Sequence, residues 1–329
     1  MYVLDHTKLI TGDIILIRTW DKTCVFIRKE SNSNYSHALV YMGDMSCLES
    51  NALGVASQNL QRLGFKNIDD AKVLRLDDFA EIKKLRTGIN LGRSKVGTSY
   101  ASRHEVERSN LDTADNAMES NRQFCTRFVA QIYSDSGINI VSNPDYCSPK
   151  DVEESDILFE VIDALRPASP EEWELTQEKD NITVVQRDAG YIFLNVIRTI
   201  TKEDIQSFDQ VEEYLIKNPN YDQEFNNELI KSEYLNLGDL EKNGNPSVYD
   251  LDLFLKTYHE IYALELSQQQ YYDELNRIQD FKAAADKYKN IFLKTNCKYF
   301  ESLQKCYIRQ VQLATERIAV WTGTLNLFK

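Results

Sequence analysis

The chain has 329 residues, of which 42% are hydrophobic and 27% charged, and its formal net charge is -13. This composition is typical of a globular protein, and the length favours two domains. The acidic balance argues against a nucleic-acid-binding surface, which needs clustered lysine and arginine, and against attraction to anionic lipid. No apolar run approaches the roughly 18 residues of a membrane helix, and the N-terminus lacks the apolar core of a signal peptide. We therefore expect a cytoplasmic protein without stable membrane insertion; injection into a host cell is left open as an alternative.

The first third of the sequence predicts β-strands. Five short segments are rich in β-branched and aromatic residues, and turn residues such as Gly43 and Gly54 separate them. These segments are GDIILIR (12–18), HALVYMG (37–43), CLES (47–50), GVASQNL (54–60) and KVLRL (72–76).

The hydrophobic spacing then becomes helical. We predict one helix over residues 78–92, with Asp77 or Asp78 as its N-cap, and a second in FCTRFVAQIYSDSG (124–137), which Gly137 would end. Pro167, Pro170 and the acidic residues that follow indicate the end of a first domain. We expect an α+β domain over residues 1–170 and a mostly helical domain of unknown role over 171–329.

The second half has few strand signals. GYIFLNVIRTI (190–200) fits a strand or a helix, and LEKNGNPS (240–247) is predicted to be a loop. No proline follows Pro246, and apolar residues recur there at helical spacing. A long helical hairpin or a small bundle is expected.

The 6 cysteines are scattered and form no CxxC pair. Zinc sites usually place their thiol ligands at such short spacings, so the spacing gives little support for a zinc site and we expect no metal centre. The thiol chemistry considered below also implies no cofactor. In a cytoplasmic protein most of these cysteines should be reduced and should pack as small hydrophobic side chains.

His37 is the one histidine among 4 that begins an apolar strand. Taken alone, a histidine there is more often structural than catalytic, but Glu49 on the next strand gives it a partner. A three-residue hairpin loop would pair Leu39 with Glu49 and make Glu49 a diagonal neighbour of His37, with roughly 7–8 Å between their backbone positions and the side chains within reach of each other. A two-residue loop would pair Val40 with Glu49 and turn the carboxylate to the other face. Both registers are open at this point.

Cys125 lies at the start of a predicted helix, directly after Phe124. The partial positive charge of a helix N-terminus favours a thiolate there, and its unpaired N–H groups can hold an oxyanion. The alternative is a structural cysteine buried on an amphipathic helix. With Cys125, His37 and Glu49 together, the chain would have the nucleophile, the base and the orienting carboxylate of a nucleophilic acyl-transfer site.

An ordered set of motifs resembles the permuted papain-like branch of the NlpC-type hydrolases, particularly the YiiX/YebB-like group. The resemblance covers residues 11–165, about half the chain. Its parts are a Gly-Asp strand (GDIILIR), a Ser-His strand (YSHALVYMGD), a Glu strand (CLESNALGV), a strand that carries Arg (KVLRL), a Gly-x-x-Tyr element (GTSY, 97–100), the helix headed by Cys (FCTRFVAQIY) and a closing Ser-Pro-x-Asp segment (SPKDVEESDILFEV, 148–161).

The resemblance implies a circularly permuted papain-like domain in which Cys125 is the nucleophile, His37 the general base and acid, and Glu49 the residue that orients His37. It also implies that Tyr35 and Tyr100 line the substrate cleft. The sequence departs from the family at Thr126, where the family commonly has serine. The chain is also similar to the lecithin retinol acyltransferase-like branch, where a second histidine usually stands in place of Glu49, so Glu49 favours amide hydrolysis over lipid acyl transfer.

Three functions remain open on the sequence. The first is a cysteine amidase or peptidase that acts on a peptide or amide substrate, with water or another group as acyl acceptor. The second is an acyltransferase or esterase for lipid-like substrates. The third is a non-catalytic papain-like interaction module whose helical C-terminal half holds a protein partner.

Overall fold

The computed structural model describes residues 1–43, 45–101, 122–177 and 182–328. The chain divides into two compact units. The first comprises Met1–Thr183 together with Asp204–Gln210, and the second comprises Val184–Glu203 together with Val211–Lys329. Helix Pro170–Gln177 groups with the first unit. The predicted domain boundary at residue 170 stays a prediction.

The strands of the first unit form two antiparallel sheets. The strands are β1 (Tyr2–Leu4), β2 (Ile14–Ile17), β3 (His37–Gly43), β4 (Ser46–Asn51), β5 (Gly54–Asn59), β6 (Gly64–Phe65), β7 (Ala71–Leu76), β8 (Leu158–Glu160) and β9 (Leu165–Pro167). The larger sheet has the order β5-β4-β3-β2-β7-β8, and the smaller has the order β6-β1-β9.

Six α-helices belong to the described part of this unit. They are α1 (Lys22–Ser31), α2 (Phe79–Ile82), α3 (Leu85–Ser94), α4 (Cys125–Ser134), α5 (Pro149–Glu153) and α6 (Pro170–Gln177). With the two sheets they confirm the α+β class predicted from the sequence. The closing motif SPKD forms the start of α5. There the side chains of Ser148 and Asp151 each accept a hydrogen bond from the other's backbone N–H, which caps the helix.

Alternate residues of the central strands fill two cores on opposite faces of the large sheet, as the period of a strand requires. Ile14, Leu16 and Val40 pack with Phe128 and Ile132 of α4 on one face. On the other face, Ile15, Leu39 and Val73 pack with residues such as Leu4 and Phe65 of the small sheet. Helix α4, which carries Cys125, is therefore fixed on the first face by its buried apolar side.

A buried ion pair explains the Gly-Asp and Arg motifs of the sequence. Asp13 is 1% exposed and binds Arg75 of β7 through two contacts, Nε–Oδ1 at 2.8 Å and Nη2–Oδ2 at 2.7 Å. Such a two-point contact compensates both charges for their loss of water. The Asp13–Arg75 pair joins β7 to the residue before β2, so its role is structural.

Gly88 permits the close packing of α3 on α4. A Cβ atom at this position would lie 1.8 Å from the backbone oxygen of Ile132, closer than any side chain could tolerate. A larger residue here would push α4 away from the sheet, so the glycine sets the position of the helix that carries Cys125.

The C-terminal half is helical, as predicted. Its helices are α7 (Ile182–Thr201), α8 (Phe208–Lys217), α9 (Asp222–Lys231), α10 (Leu237–Gly244), α11 (Leu251–Thr257), α12 (Glu260–Thr295) and α13 (Lys298–Leu327). The last two, of 36 and 30 residues, form the expected long hairpin. Asn296, with φ of 56°, ends α12 in the left-handed conformation.

Two predicted elements are wrong in detail. The predicted helix over residues 78–92 is two helices, α2 and α3, because the N–H of Lys84 bonds to Glu81 and that of Thr87 bonds to Lys84, each three residues back rather than four. The predicted loop at residues 240–247 is helical as far as Gly244, the C-terminus of α10. The break falls at Asn245, directly before Pro246, where proline disfavours the helical conformation of its predecessor.

Candidate active site

The register of the β3–β4 hairpin places His37 and Glu49 on the same face of the sheet. Leu39 pairs with Glu49, which is the register predicted for a three-residue loop. The hairpin reaches it differently: Gly43 pairs with Ser46, and an irregularity between Tyr41 and Gly43 shifts the strand by one residue.

His37 and Glu49 form a direct contact in a partly buried place. The Nε2 atom of His37 lies 2.7 Å from Oε2 of Glu49, and their side chains are 18% and 12% exposed. The other carboxylate oxygen accepts a hydrogen bond from Nδ2 of Asn51 at 2.7 Å. Asn51 was not predicted from the sequence, although its position two residues after Glu49 on the same strand face could have indicated it.

Cys125 is the first residue of α4 and is 5% exposed. The preceding Phe124 is extended, with φ of -123°, and its carbonyl accepts the first helical hydrogen bond from Phe128. The Sγ atom lies 4.0 Å from the backbone oxygen of Ser36, the residue before His37. The folded chain thus brings the thiol to the strand end that carries the imidazole.

The surroundings of Cys125 stabilise its thiolate. Burial alone would raise the pKa of this thiol, but hydrogen bonding and charge from His37 and the backbone N–H groups of Ala38 and Thr126 lower it instead. Burial also opposes protonation of His37, yet its contacts with Cys125 and Glu49 raise the pKa of the ring to about 10. The site therefore favours a thiolate–imidazolium pair.

The two ring nitrogens of His37 have different partners. Because Nε2 contacts Glu49, Nδ1 is the nitrogen left to face the thiol. Glu49 therefore sets the orientation of the ring in the way that a third group orients the base of a triad.

Cys125 differs from the other cysteines of the chain. The pKa of every other thiol is raised above its ordinary value, chiefly by burial. The raised set is Cys24, Cys47, Cys147, Cys297 and Cys306. A thiol with a lowered pKa is the reactive kind, so Cys125 is the candidate nucleophile on electrostatic grounds as well as by position.

The side chain of Tyr100 lies next to Cys125. Burial and the neighbouring thiol raise the pKa of Tyr100, so its hydroxyl stays protonated, and it interacts with both the side chain and the backbone of Cys125. Its backbone pairs in a parallel bridge with Gln123, two residues before the cysteine. A protonated phenol here can donate a hydrogen bond to a thiolate or to an oxyanion.

Tyr35 is 4% exposed, and the charged groups of Arg18 and Lys72 lie 6.0 and 5.7 Å from the centre of its ring. It lines a cavity of about 510 Å³. The described residues that line this cavity do not include Cys125 or His37. A substrate-binding role for Tyr35 stays a prediction.

Thr126, the departure from the family pattern, directs its buried hydroxyl to the backbone oxygen of Cys147, 2.5 Å away. A serine could make the same bond, so the change leaves this support of the helix intact.

Within residues 1–43, 45–101, 122–177 and 182–328, no group of three or more His, Cys, Asp or Glu side chains is placed to hold a metal ion. The helices in these ranges also include none that is long and apolar enough to span a membrane.

A thiol at a helix N-terminus that faces an imidazole–carboxylate pair on an adjoining sheet is the arrangement of the papain-like class. The family described as permuted papain-like amidases, the YaeF/YiiX or C92 family, matches residues 8–176. The chain belongs to this family, which confirms the predicted resemblance.

Among solved structures, the chain is similar to the crystal structure of the metalloprotein YiiX from Escherichia coli O157:H7. The two are 19% identical, the match covers 47% of this chain and 97% of that one, and the TM-score is 0.35. No curated protein matches the chain.

Proposed function

We propose that the protein is a thiol hydrolase that cleaves an amide bond through an acyl-enzyme on Cys125. The observation that carries the proposal is the 2.7 Å contact between His37 Nε2 and Glu49, which leaves Nδ1 of the ring for a thiol whose pKa is lowered. Membership of a family of amidases supports the reaction class.

In the proposed reaction the Cys125 thiolate attacks the substrate carbonyl and forms a carbon–sulfur bond. The negative charge that moves to the carbonyl oxygen is stabilised by the N-terminal end of α4, where Cys125 is the first residue, and by the hydroxyl of Tyr100. The imidazolium of His37 then protonates the leaving amine as the carbon–nitrogen bond breaks, and an acyl-enzyme and a free amine remain.

Water completes the proposed cycle. A water molecule attacks the thioester while neutral His37 takes its proton. The resulting tetrahedral intermediate breaks its carbon–sulfur bond and yields a carboxylic acid and the Cys125 thiolate. The His37 proton is then available for the next turnover. Glu49 holds the ring in place through both steps and stabilises its charged form.

Alkylation tests the proposed nucleophile without a known substrate. We expect iodoacetamide at pH 6–7 to modify Cys125 before the other five cysteines, with the sites and rates measured by mass spectrometry of peptides. His37→Ala should slow this labelling at least about tenfold, since it removes the group that stabilises the thiolate. The exposed His6 gives a matched control, and His6→Ala should label as the unsubstituted protein does. Equal rates for all accessible cysteines would overturn the proposal.

A chain-length series of amide and ester substrates separates hydrolysis from the acyltransferase alternative. We expect turnover of short activated amides, with a Cys125→Ala variant slower by about 10³-fold or more. Preference for long-chain esters and transfer to an added acceptor would favour the lipid enzyme. Unchanged biological effect in Cys125→Ala would instead favour a non-catalytic interaction module.

A further inference from the structure

A short segment from the C-terminal half of the sequence is built into the first unit. Residues Asp204–Gln210, here called the strap, follow α7 and include the start of α8, yet they group with Met1–Thr183. They also lie outside residues 8–176, the part of the chain that the amidase family matches. The strap is therefore an addition to the papain-like domain.

Gln206 is the buried centre of the strap and is 1% exposed. Its Oε1 accepts the backbone N–H of Ser99 at 2.9 Å, and its backbone oxygen accepts the hydroxyl of Thr98 at 3.3 Å. Its Nε2 donates to Asp204 at 2.6 Å, and its backbone N–H donates to Gln210 at 2.6 Å. Both ends of the side chain are thus committed, which fixes the side chain in one orientation.

The partner segment of Gln206 leads directly to Tyr100. The backbone oxygen of Thr98 accepts from Val55 at 2.8 Å, while that of Ser99 accepts from Gln123 at 3.0 Å. These bonds attach the segment to β5 and to the residues before Cys125. Gln206 supplies the acceptor for the N–H of Ser99, so it completes the support of the residue next to Tyr100.

We propose that Gln206 is a positioning residue that holds Tyr100 against Cys125, so that a residue from the C-terminal half sets the reactivity of the cleft. The inference rests on the proposed thiol chemistry of Cys125. Without the Oε1 atom of Gln206, the N–H of Ser99 loses its acceptor in a partly buried place, and the backbone shifts to find another. Tyr100 moves with it, and its hydroxyl no longer supports the thiolate.

The test is a double-mutant cycle on the rate at which iodoacetamide modifies Cys125. At pH 6.5 we expect Tyr100→Phe to slow labelling about tenfold, since hydrogen bonds to charged groups are strong, and Gln206→Met to slow it about three- to tenfold. Both should move the midpoint of the labelling profile to higher pH. The double variant should be no slower than Tyr100→Phe, because both changes remove the same interaction.

Further variants separate positioning from a general loss of structure. The double variant Gln206→Glu/Asp204→Asn reverses the hydrogen bond between the two side chains, so that the new amide at position 204 donates and the new carboxylate at position 206 accepts. This carboxylate still offers an oxygen to the N–H of Ser99. The labelling rate of the double variant should therefore lie within about twofold of the rate of the unsubstituted protein. Gln223→Met, at an exposed glutamine of α9, is the matched control and should leave the rate unchanged. If Gln206→Met does not fold, Gln206→Asn takes its place, since it withdraws the amide by one methylene.

The outcomes distinguish this inference from the proposed function. Rapid labelling of Cys125 in the unsubstituted protein, combined with an unchanged rate in Gln206→Met, would overturn the role of Gln206 alone. Additive effects of Gln206→Met and Tyr100→Phe would do the same. If Cys125 in the unsubstituted protein labels no faster than the other thiols, the proposed function itself fails.

Discussion

Each unit of the molecule buries a carboxylate, and the two carboxylates have different kinds of partner. In the first unit Glu49 contacts His37, whose charge changes with pH, and the amide of Asn51. In the second unit Glu274 is 1% exposed and binds two permanent cations, Arg277 at 2.5 Å and Arg317 at 2.9 Å.

The partners decide what each carboxylate can do. Arginine stays protonated at all accessible pH values, so the two cations beside Glu274 keep their charge, and the cluster serves to hold α12 to α13. Histidine can lose its proton, and the ring beside Glu49 also faces a thiol. A buried glutamate is therefore structural in the helical unit, where it is Glu274, whereas Glu49 in the cleft is a candidate to support proton transfer.

Glu274→Ala should have the largest effect on stability and none on the cleft. It leaves Arg317, whose side chain is 13% exposed, without its closest carboxylate, and breaking such a pair costs about 3–5 kcal/mol. Urea unfolding followed by circular dichroism measures the loss, and Cys125 alkylation under native conditions should keep its rate. Glu265→Ala, at an exposed site on the same helix, should change stability by less than about 0.5 kcal/mol. A cleft rate that falls with Glu274→Ala in the folded protein would contradict the comparison.

Glu49→Gln should slow amide turnover about 10- to 100-fold with a smaller effect on stability. The carboxylate favours the protonated ring, so its loss lowers the raised pKa of His37 toward the ordinary histidine value. In a plot of turnover rate against pH, the fall on the alkaline side, where His37 loses its proton, then moves to lower pH. The acid limb, where the Cys125 thiolate gains a proton, moves to higher pH because a neutral ring stabilises the thiolate less.

The measurement for Glu49→Gln is the pH dependence of turnover, which reports both limbs, with Cys125 alkylation as a separate measure of the acid limb, since alkylation needs only the thiolate. The active range should narrow from both sides. Glu160→Gln, on the edge strand β8 near Lys72, is the control and should leave both limbs in place. A rate that falls without any change of the limbs would show that Glu49 has a structural role like that of Glu274.

Much of the sheet and the position of the candidate site were predictable from the sequence. The five main strands and α4 follow from local periodicity and turn residues, because their patterns repeat over several residues. The register of Glu49 was open between two loops, and the structure adopts it through an irregularity near Met42 that local sequence does not encode. The strands β1, β6, β8 and β9 were missed because two or three residues show no period.

The remaining features of the site depend on contacts that are distant in sequence. Gln206 lies 107 residues from Ser99, and nothing in its local sequence indicates that it is buried beside the cleft. Tyr35 was predicted from the Ser-His strand motif. The cations beside its ring, Arg18 at 6.0 Å and Lys72 at 5.7 Å from the ring centre, both come from outside that motif, and Lys72 lies on β7. Pattern identifies which residues can do chemistry, whereas tertiary packing decides which of them meet.

Asn51→Ala should have the smallest effect and should refine the comparison further. Asn51 donates to the Glu49 oxygen that does not contact His37, so its loss frees the carboxylate to rotate while the direct contact persists. We expect turnover to fall about three- to fivefold, as for the loss of one hydrogen bond of modest net strength, with both pH limbs nearly unchanged. Asn59→Ala, on β5, is a control outside the Glu49 contacts, and its effect should be confined to the turn that its side chain caps. A loss as large as that of Glu49→Gln would mean that the orientation of the carboxylate, and not its charge, is what distinguishes the cleft from the helical unit.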